Sequence, residues 1–251
     1  MNISEIFKGE HFALDENKLI PIEEAETESK YVSICEILEI SPKHLFYDPE
    51  GLINRYCYWD GLFYQPFMSL DTTFLETKLG DFSEADRFKV RLSFVQAAYE
   101  SEKWEDVLRY TDKKVLFHVY KKISSMIPEE ERANTFLEIY VKSESGYDAA
   151  LVREVIDGSK DESYDISNAP QKPKDGYYVI YRGATPESTP VNEAFSWTLS
   201  KDIADFFAGR FSSNGIVYQG RIHKDKIKAF INNKEQEVIA FPEDIIDIKE
   251  I

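Results

Sequence analysis

The feature that most constrains the fold is a change in hydrophobic period along the chain. Over residues 83–156 apolar side chains recur at the three- and four-residue spacing of helices, whereas after Gly176 aromatic and β-branched residues follow a strand-like pattern. The stretch between them is rich in Ser, Asp, Lys, Pro and Gly. We therefore predict an α+β protein: a mostly helical acidic domain over residues 1–160, a linker over 161–175, and a small mixed α/β domain over 176–251.

Caps and apolar spacing locate the helices of the first domain. Ser83 begins Ser-Glu-Ala-Asp, a typical helix start with acidic residues in the first turn. The first 80 residues show no clean period, and the aromatic-rich stretch Tyr56–Phe67 is interpreted as core or interface. The predicted helices are one that begins at Ser83, then Trp104–Tyr110, Val115–Ile127, Pro128–Val141 and Tyr147–Ile156.

The second domain is predicted to hold one helix among short strands, which favours a small α+β unit over a doubly wound sheet. Ser200 caps the helix, which extends from Lys201 to about Phe211. Its predicted apolar face consists of Ile203, Phe206, Phe207 and Phe211. The predicted strands are Tyr177–Arg182, Phe195–Thr198, Ile216–Ile222, Ile227–Ile231, Glu237–Phe241 and Ile245–Ile248.

Composition excludes several classes of protein. The formal net charge is −16, and nearly all of the negative excess lies in the first two-thirds of the chain, where it indicates a solvated acidic surface or a site for a basic partner. Two cysteines are too few for a disulfide framework, and the four histidines lie far apart, so no metal site is expected. Without a secretory signal or a long apolar run, we expect a cytoplasmic protein that does not enter membranes.

Three short motifs of the second domain follow one another on predicted strands. Arg182 ends the first strand; Ser196 and Thr198 belong to the strand Ser-Trp-Thr and point to one face; Glu235 and Glu237 belong to Glu-Gln-Glu, which is predicted to open a later strand. Each motif alone is common in ordinary surface strands. Their order and spacing carry the information.

This order resembles the signature of the cholera-toxin-like mono-ADP-ribosyltransferases: Arg, then Ser-x-Ser/Thr, then Glu/Gln-x-Glu. The resemblance covers about the last 75 residues and implies a split β-sheet with NAD as co-substrate and no metal. It implies that Glu237 binds the ribose hydroxyl, that Ser196 holds Glu237, that Arg182 contacts the NAD diphosphate or ribose, and that Glu235 faces the acceptor. The NAD-binding residues that it implies are Arg182, Gly183, Ser196, Thr198, and an aromatic residue, Phe207 or Phe211.

The expected activity is transfer of ADP-ribose from NAD to a macromolecular acceptor, either a protein arginine or a nucleic-acid base. The resemblance also suggests an intracellular toxin or anti-phage enzyme, with an inhibitor or antitoxin among its partners. Glu235 favours arginine, because an extra carboxylate can pair with a guanidinium. The alternatives are an NAD glycohydrolase and a non-catalytic binding protein with a degenerate transferase fold. The basic residues that leave a nucleic-acid acceptor open are Arg221, Lys224, Lys226 and Lys228.

Overall fold

The chain divides by its internal contacts into two compact units, Met1–Asp148 and Ala149–Ile251, called here the N-terminal and C-terminal units. The helix that the sequence predicts over Tyr147–Ile156 therefore belongs to the second unit, whereas the sequence places it in the first domain. The computed structural model describes residues 13–51, 53–143, 149–156, 164–186, 188–210 and 214–251.

Helices form much of the described N-terminal unit, and the predicted helix starts in this unit are confirmed to within one residue. The longest helix begins after a capping box, in which Ser83 Oγ accepts from the backbone N of Asp86 at 3.1 Å and the Asp86 carboxylate accepts from the backbone N of Ser83 at 3.0 Å. The helices are α1 (Ile22–Ala25), α2 (Glu28–Leu38), α3 (Thr72–Glu76), α4 (Glu84–Glu100), α5 (Trp104–Tyr110), α6 (Leu116–Ile123) and α7 (Glu129–Lys142).

A four-stranded antiparallel sheet also lies in this unit, so the prediction of a mostly helical domain missed it. Its strands, in spatial order, are β1 (Ile20–Pro21), β2 (Leu45–Tyr47), β3 (Tyr56–Trp59) and β4 (Tyr64–Phe67). Strands of two to four residues are too short to show alternation in a sequence. The aromatic stretch is core: the rings of Phe63 and Phe67 pack on Phe88 of α4 at centroid distances of 6.0 and 5.6 Å.

The C-terminal unit is a mixed α/β unit with an antiparallel six-stranded sheet, in the order β10-β7-β5-β6-β9-β8. The predicted strands are confirmed to within about two residues, in line with the usual uncertainty of element ends. The elements are α8 (Ala149–Ile156), β5 (Tyr177–Ala184), β6 (Ser196–Thr198), α9 (Lys201–Gly209), β7 (Ile216–His223), β8 (Ile227–Ile231), β9 (Glu237–Ala240) and β10 (Ile245–Glu250).

The sheet is nearly divided at its centre. Strand β5 pairs with β7 along all eight of its residues, from Tyr177 to Ala184. Its pairing with β6 on the other side consists of a single pair, Tyr181 with Thr198. The two three-stranded halves, β10-β7-β5 and β6-β9-β8, therefore separate just beyond Tyr181, where Arg182 follows in the chain.

Helix α9 packs closely on β5, and this close approach corrects its predicted apolar face. A Cβ on Gly183 would lie 1.9 Å from the carbonyl oxygen of Ala204, so only glycine fits at this point of the strand. The residues of α9 that are buried are Ala204 and Ala208, while Phe206 is 59% exposed. The small side chains face the sheet because the helix backbone lies too near to β5 for phenylalanine.

Side chains along β6 point alternately into the hydrophobic core and to the opposite face of the sheet. Trp197 is 2% exposed and packs in the hydrophobic core of the unit with residues such as Ile180 and Val238. Its neighbours Ser196 and Thr198 consequently point to the opposite face of the sheet, as the sequence predicts.

Candidate functional site

The centre of the candidate site is a hydrogen bond between two strands. Ser196 of β6 donates from its Oγ to Oε1 of Glu237 at 2.5 Å. Glu237 is the first residue of β9 and pairs in register with Thr198, so it lies diagonally across from Ser196 on the same face of the sheet. Glu237 is buried, with only 8% of the residue exposed. The fold thus joins a hydroxyl and a buried carboxylate that are 41 residues apart.

Thr198 holds the backbone beside this pair. Its Oγ1 donates to the carbonyl oxygen of Glu235 at 2.6 Å and accepts from the backbone N of Ser200 at 3.0 Å. Glu235 also donates from its backbone N to Oδ1 of Asn233 at 2.8 Å. The two hydroxyls of Ser-Trp-Thr therefore have different partners: one binds the Glu237 carboxylate, and the other fixes the chain that leads to it.

Glu235 does not open strand β9, which corrects the sequence prediction. The strand begins at Glu237, and Glu235 lies in the exposed turn before it. Gln236, between them, has a φ of 48°, in the left-handed region that residues other than glycine rarely adopt. The prediction that both carboxylates point to one face relied on strand alternation from Glu235 to Glu237. The turn interrupts that alternation, so the prediction does not apply to Glu235.

Arg182 spans the division of the sheet. It follows the last residue of β5 that pairs with β6, and its Nη1 donates to the carbonyl oxygen of Ser196 at 2.7 Å. A second, longer bond of 3.4 Å joins its Nη2 to the carbonyl oxygen of Thr189. The structure therefore brings Arg182, Ser196 and Glu237 together at the point where the two half-sheets part.

The electrostatics of the site centre on Glu237. Burial raises the pKa of this carboxyl to about 7; the hydrogen bond from Ser196 acts in the opposite direction. Two charges also contribute to this net pKa: Glu235 acts to raise it, and the Arg182 guanidinium acts to lower it. A buried carboxyl that titrates near neutrality, beside named charges and a hydroxyl, is a pattern typical of functional sites.

Two of the remaining predicted NAD-binding residues, Gly183 and Phe207, lie against or within α9. Gly183 is explained by its contact with the helix backbone, and its contact with NAD stays a prediction. Phe207 is half-buried and packs edge-on against Phe206, with ring centroids 5.6 Å apart. Phe211 lies outside the described residues.

The basic cluster that kept a nucleic-acid acceptor open is largely engaged within its own unit. Three of its four cations contact an acidic or aromatic residue there, and these contacts reduce their attraction for phosphate. The contacts are Arg221 with Asp247 at 2.9 Å, Lys226 with Asp244 at 3.1 Å, and Lys228 over the ring of Phe241 at 4.6 Å.

The described residues include neither a metal-binding cluster nor a membrane-spanning helix. Among them no group of three or more His, Cys, Asp and Glu side chains lies in an arrangement that could hold a metal ion. Over the same ranges, no helix has the length and apolarity that a membrane crossing requires.

One contact beside the site strands has no counterpart in the sequence predictions. Arg153 of α8 lies over the rings of Phe195, which precedes β6, and Phe241, which follows β9. It also forms an ion pair with Glu243, which is 90 positions away along the chain. No local pattern marks a contact of this separation; only the assembled fold reveals it.

The chain was compared with protein-family models, with curated proteins and with solved structures, and none of the three comparisons found a match.

Proposed function

We propose that the C-terminal unit is an NAD-dependent mono-ADP-ribosyltransferase. The observation that carries the proposal is the bond from Ser196 to the buried Glu237, with Arg182 beside it at the division of the sheet. The family resemblance implies these three residue types in this order. A sheet in two halves, with the signature residues where they part, also fits the split fold that the resemblance implies.

The proposed chemistry explains why a carboxylate is needed at this place. Cleavage of the bond between the nicotinamide nitrogen and the ribose passes the bonding electrons to nicotinamide and leaves positive charge on the sugar, as in glycoside cleavage. In its ionised form, Glu237 accepts a hydrogen bond from a ribose hydroxyl, and this bond strengthens as the charge develops. Ser196 holds the carboxylate for that task, and Arg182 supplies a guanidinium for the diphosphate or ribose.

For the acceptor, we propose a protein arginine in preference to a nucleic-acid base. Glu235 is exposed next to the buried Glu237, and its backbone is fixed by Thr198 and Asn233. Its carboxylate is suited to bind a guanidinium and take up the proton that the attacking nitrogen loses. The engaged basic cluster argues against a phosphate backbone as the main contact.

The test is incubation of the purified protein with NAD, followed by measurement of released nicotinamide. Label on the ADP-ribose part of NAD is then traced in a cell lysate that is digested selectively with protease, RNase or DNase. The proposal expects nicotinamide release and label that only protease removes. Release without label on any macromolecule identifies a glycohydrolase instead, and no release at all contradicts the proposed function.

The variant Glu235→Ala distinguishes the cleavage of NAD from the transfer of ADP-ribose to protein. We expect this variant to release nicotinamide at nearly the wild-type rate in water, because Glu237 remains, but to lose about 100-fold in transfer to protein, the size of a typical general-base contribution. Both rates are measured on the same preparation. Equal losses in release and transfer would remove Glu235 from the acceptor role.

A further inference from the structure

Arg153 makes two kinds of contact at one end of the site strands. Its guanidinium forms a bidentate ion pair with Glu243, from Nη1 to Oε1 at 2.6 Å and from Nη2 to Oε2 at 2.8 Å. Its Cζ also lies 5.4 Å from the ring centroid of Phe195 and 4.6 Å from that of Phe241. The two rings contact each other edge-on, with centroids 6.2 Å apart.

Those two rings flank the strands that carry Ser196 and Glu237. Phe195 is the residue before Ser196, and Phe241 is the residue after Ala240, the last of β9. The backbone N of Ala240 donates to the carbonyl oxygen of Phe195 at 3.0 Å, so both rings lie at the same end of the paired strands. Phe195 and Phe241 are 4% and 8% exposed, whereas the Arg153 side chain is 42% exposed.

The energetics of the contact indicate a geometric role. An ion pair between exposed side chains contributes little to stability. A guanidinium that makes two hydrogen bonds to a carboxylate and also lies over two aromatic rings is held in one orientation, whereas a single ion pair allows many. The Arg153 guanidinium holds the pKa of Glu243 at about 2, so the pair stays ionised throughout the physiological range of pH.

We propose that Arg153 is a positioning residue, which fastens α8 to the adjoining ends of β6 and β9 and so maintains the distance from Ser196 Oγ to Glu237 Oε1. This inference rests on the proposed function, because the geometry that Arg153 maintains is that of the NAD-cleaving pair. Arg153 itself does not touch the reacting atoms in this account. Small displacements of catalytic groups have large kinetic effects, up to about 100-fold for 1 Å.

The same unit contains a matched control. Arg221 pairs with the Asp247 carboxylate at 2.9 Å and lies 4.7 Å from the ring centroid of Tyr177, and its side chain is 43% exposed. It is therefore an arginine of nearly equal exposure with a carboxylate and an aromatic partner. Its ring partner opens β5 and does not flank Ser196 or Glu237.

The test compares Arg153→Ala with Arg221→Ala for nicotinamide release, after thermal melts have shown that both are folded. We expect Arg153→Ala to lower kcat about tenfold with little change in the KM for NAD. Arg153→Lys, which keeps the charge but not the fork, should recover part of the loss, and Arg221→Ala should match the wild type. Equal kcat values for the two alanine variants would overturn the proposal.

If Arg153→Ala does not fold, Glu243→Gln takes its place in the same comparison, because it weakens the ion pair and leaves both rings intact. A readout without NAD keeps this inference separate from the proposed function: the titration of Glu237 followed by ¹³C NMR. We expect the midpoint to move in Arg153→Ala and to stay in Arg221→Ala. A wild type that releases no nicotinamide would contradict the proposed function; unchanged Glu237 midpoints in both variants would contradict the positioning role.

Discussion

The two units each bury one carboxylate among their described residues, and the two carboxylates have different kinds of partner. Asp48 of the N-terminal unit is 7% exposed and accepts at Oδ1 from the backbone N of Glu50, two residues away, at 2.9 Å. Glu237 of the C-terminal unit is 8% exposed and accepts from the hydroxyl of Ser196, which another strand supplies.

We interpret Asp48 as a structural carboxylate and Glu237 as the carboxylate of the proposed site. The bond of Asp48 is local and closes a turn, a common use of aspartate. Glu237 depends on the assembled sheet for its hydrogen bond, and its pKa responds to Arg182 and Glu235 from outside its own strand. Burial is common to both carboxylates, so the proposal for Glu237 rests on its distant hydrogen-bond partner and on the charges that act on it.

The largest expected effect is the loss of activity in Glu237→Gln. The amide has the shape of the carboxyl group but lacks its charge, so it cannot stabilise the positive sugar. We expect nicotinamide release to fall by about 10² to 10³-fold, as on removal of one strong electrostatic contact in other enzymes. The measurement is kcat/KM for NAD at pH 8.

Asp48→Asn is the matched control for that variant, because it also removes the charge of a buried carboxyl group with little change in shape. Nicotinamide release should remain at the wild-type level, since the asparagine oxygen can still accept from the backbone of Glu50. If Asp48→Asn lost as much activity as Glu237→Gln, the distinction between the two carboxylates would not hold.

The next effect is on stability and has the opposite sign from the effect on activity. The pKa of Glu237 is raised in the folded state, so between its usual value, near 4.5, and about 7 the folded protein binds more protons than the unfolded chain. The free energy of unfolding therefore falls as pH rises through that window. Glu237→Gln should be more stable than wild type at pH 8, by about 3 kcal/mol at 1.36 kcal/mol per pKa unit.

Urea denaturation of both proteins at pH 5 and pH 8 checks this prediction. The stabilisation should be smaller at pH 5, where Glu237 is protonated in the folded wild type. A variant less stable than wild type at pH 8 would mean that the ionised carboxylate is favoured by its surroundings, contrary to the raised pKa.

The smallest effect concerns Ser196→Ala. The hydroxyl orients Glu237 but carries no charge, and we expect nicotinamide release to fall about tenfold, at the lower end of the net value of a hydrogen bond to a charged group. Ser196→Thr, which keeps a hydroxyl, should retain more of the activity than Ser196→Ala. Wild-type rates in the alanine variant would show that the 2.5 Å bond does not serve the reaction.

The sequence predicts the elements of the C-terminal unit well because its strands are bounded by polar turns and rich in β-branched residues. Strand Ile227–Ile231 is found at its predicted bounds, and so is helix Trp104–Tyr110 of the N-terminal unit. The order of Arg182, Ser196 and Glu237 also predicts that they share one site. Periodicity and motif order are properties of the sequence itself, so these features can be read directly from it.

Other features depend on distances that no sequence pattern contains. The outward position of Phe206 follows from the close approach of Ala204 to Gly183, which only the packed helix and strand reveal. The turn position of Glu235 follows from the left-handed backbone of Gln236, an unusual conformation for that residue type. The Arg153 contacts join residues far apart in the chain.

The central claim, that the ionised carboxylate of Glu237 promotes the cleavage of NAD, is tested most directly by pH. We expect kcat/KM for nicotinamide release to rise tenfold per pH unit below about 7 and to level off above it, because kcat/KM reports the ionisation of the free enzyme. The NMR titration of Glu237 in the same protein should have its midpoint at the same pH. A kcat/KM that stays constant from pH 5 to pH 8 in the folded protein would contradict the claim.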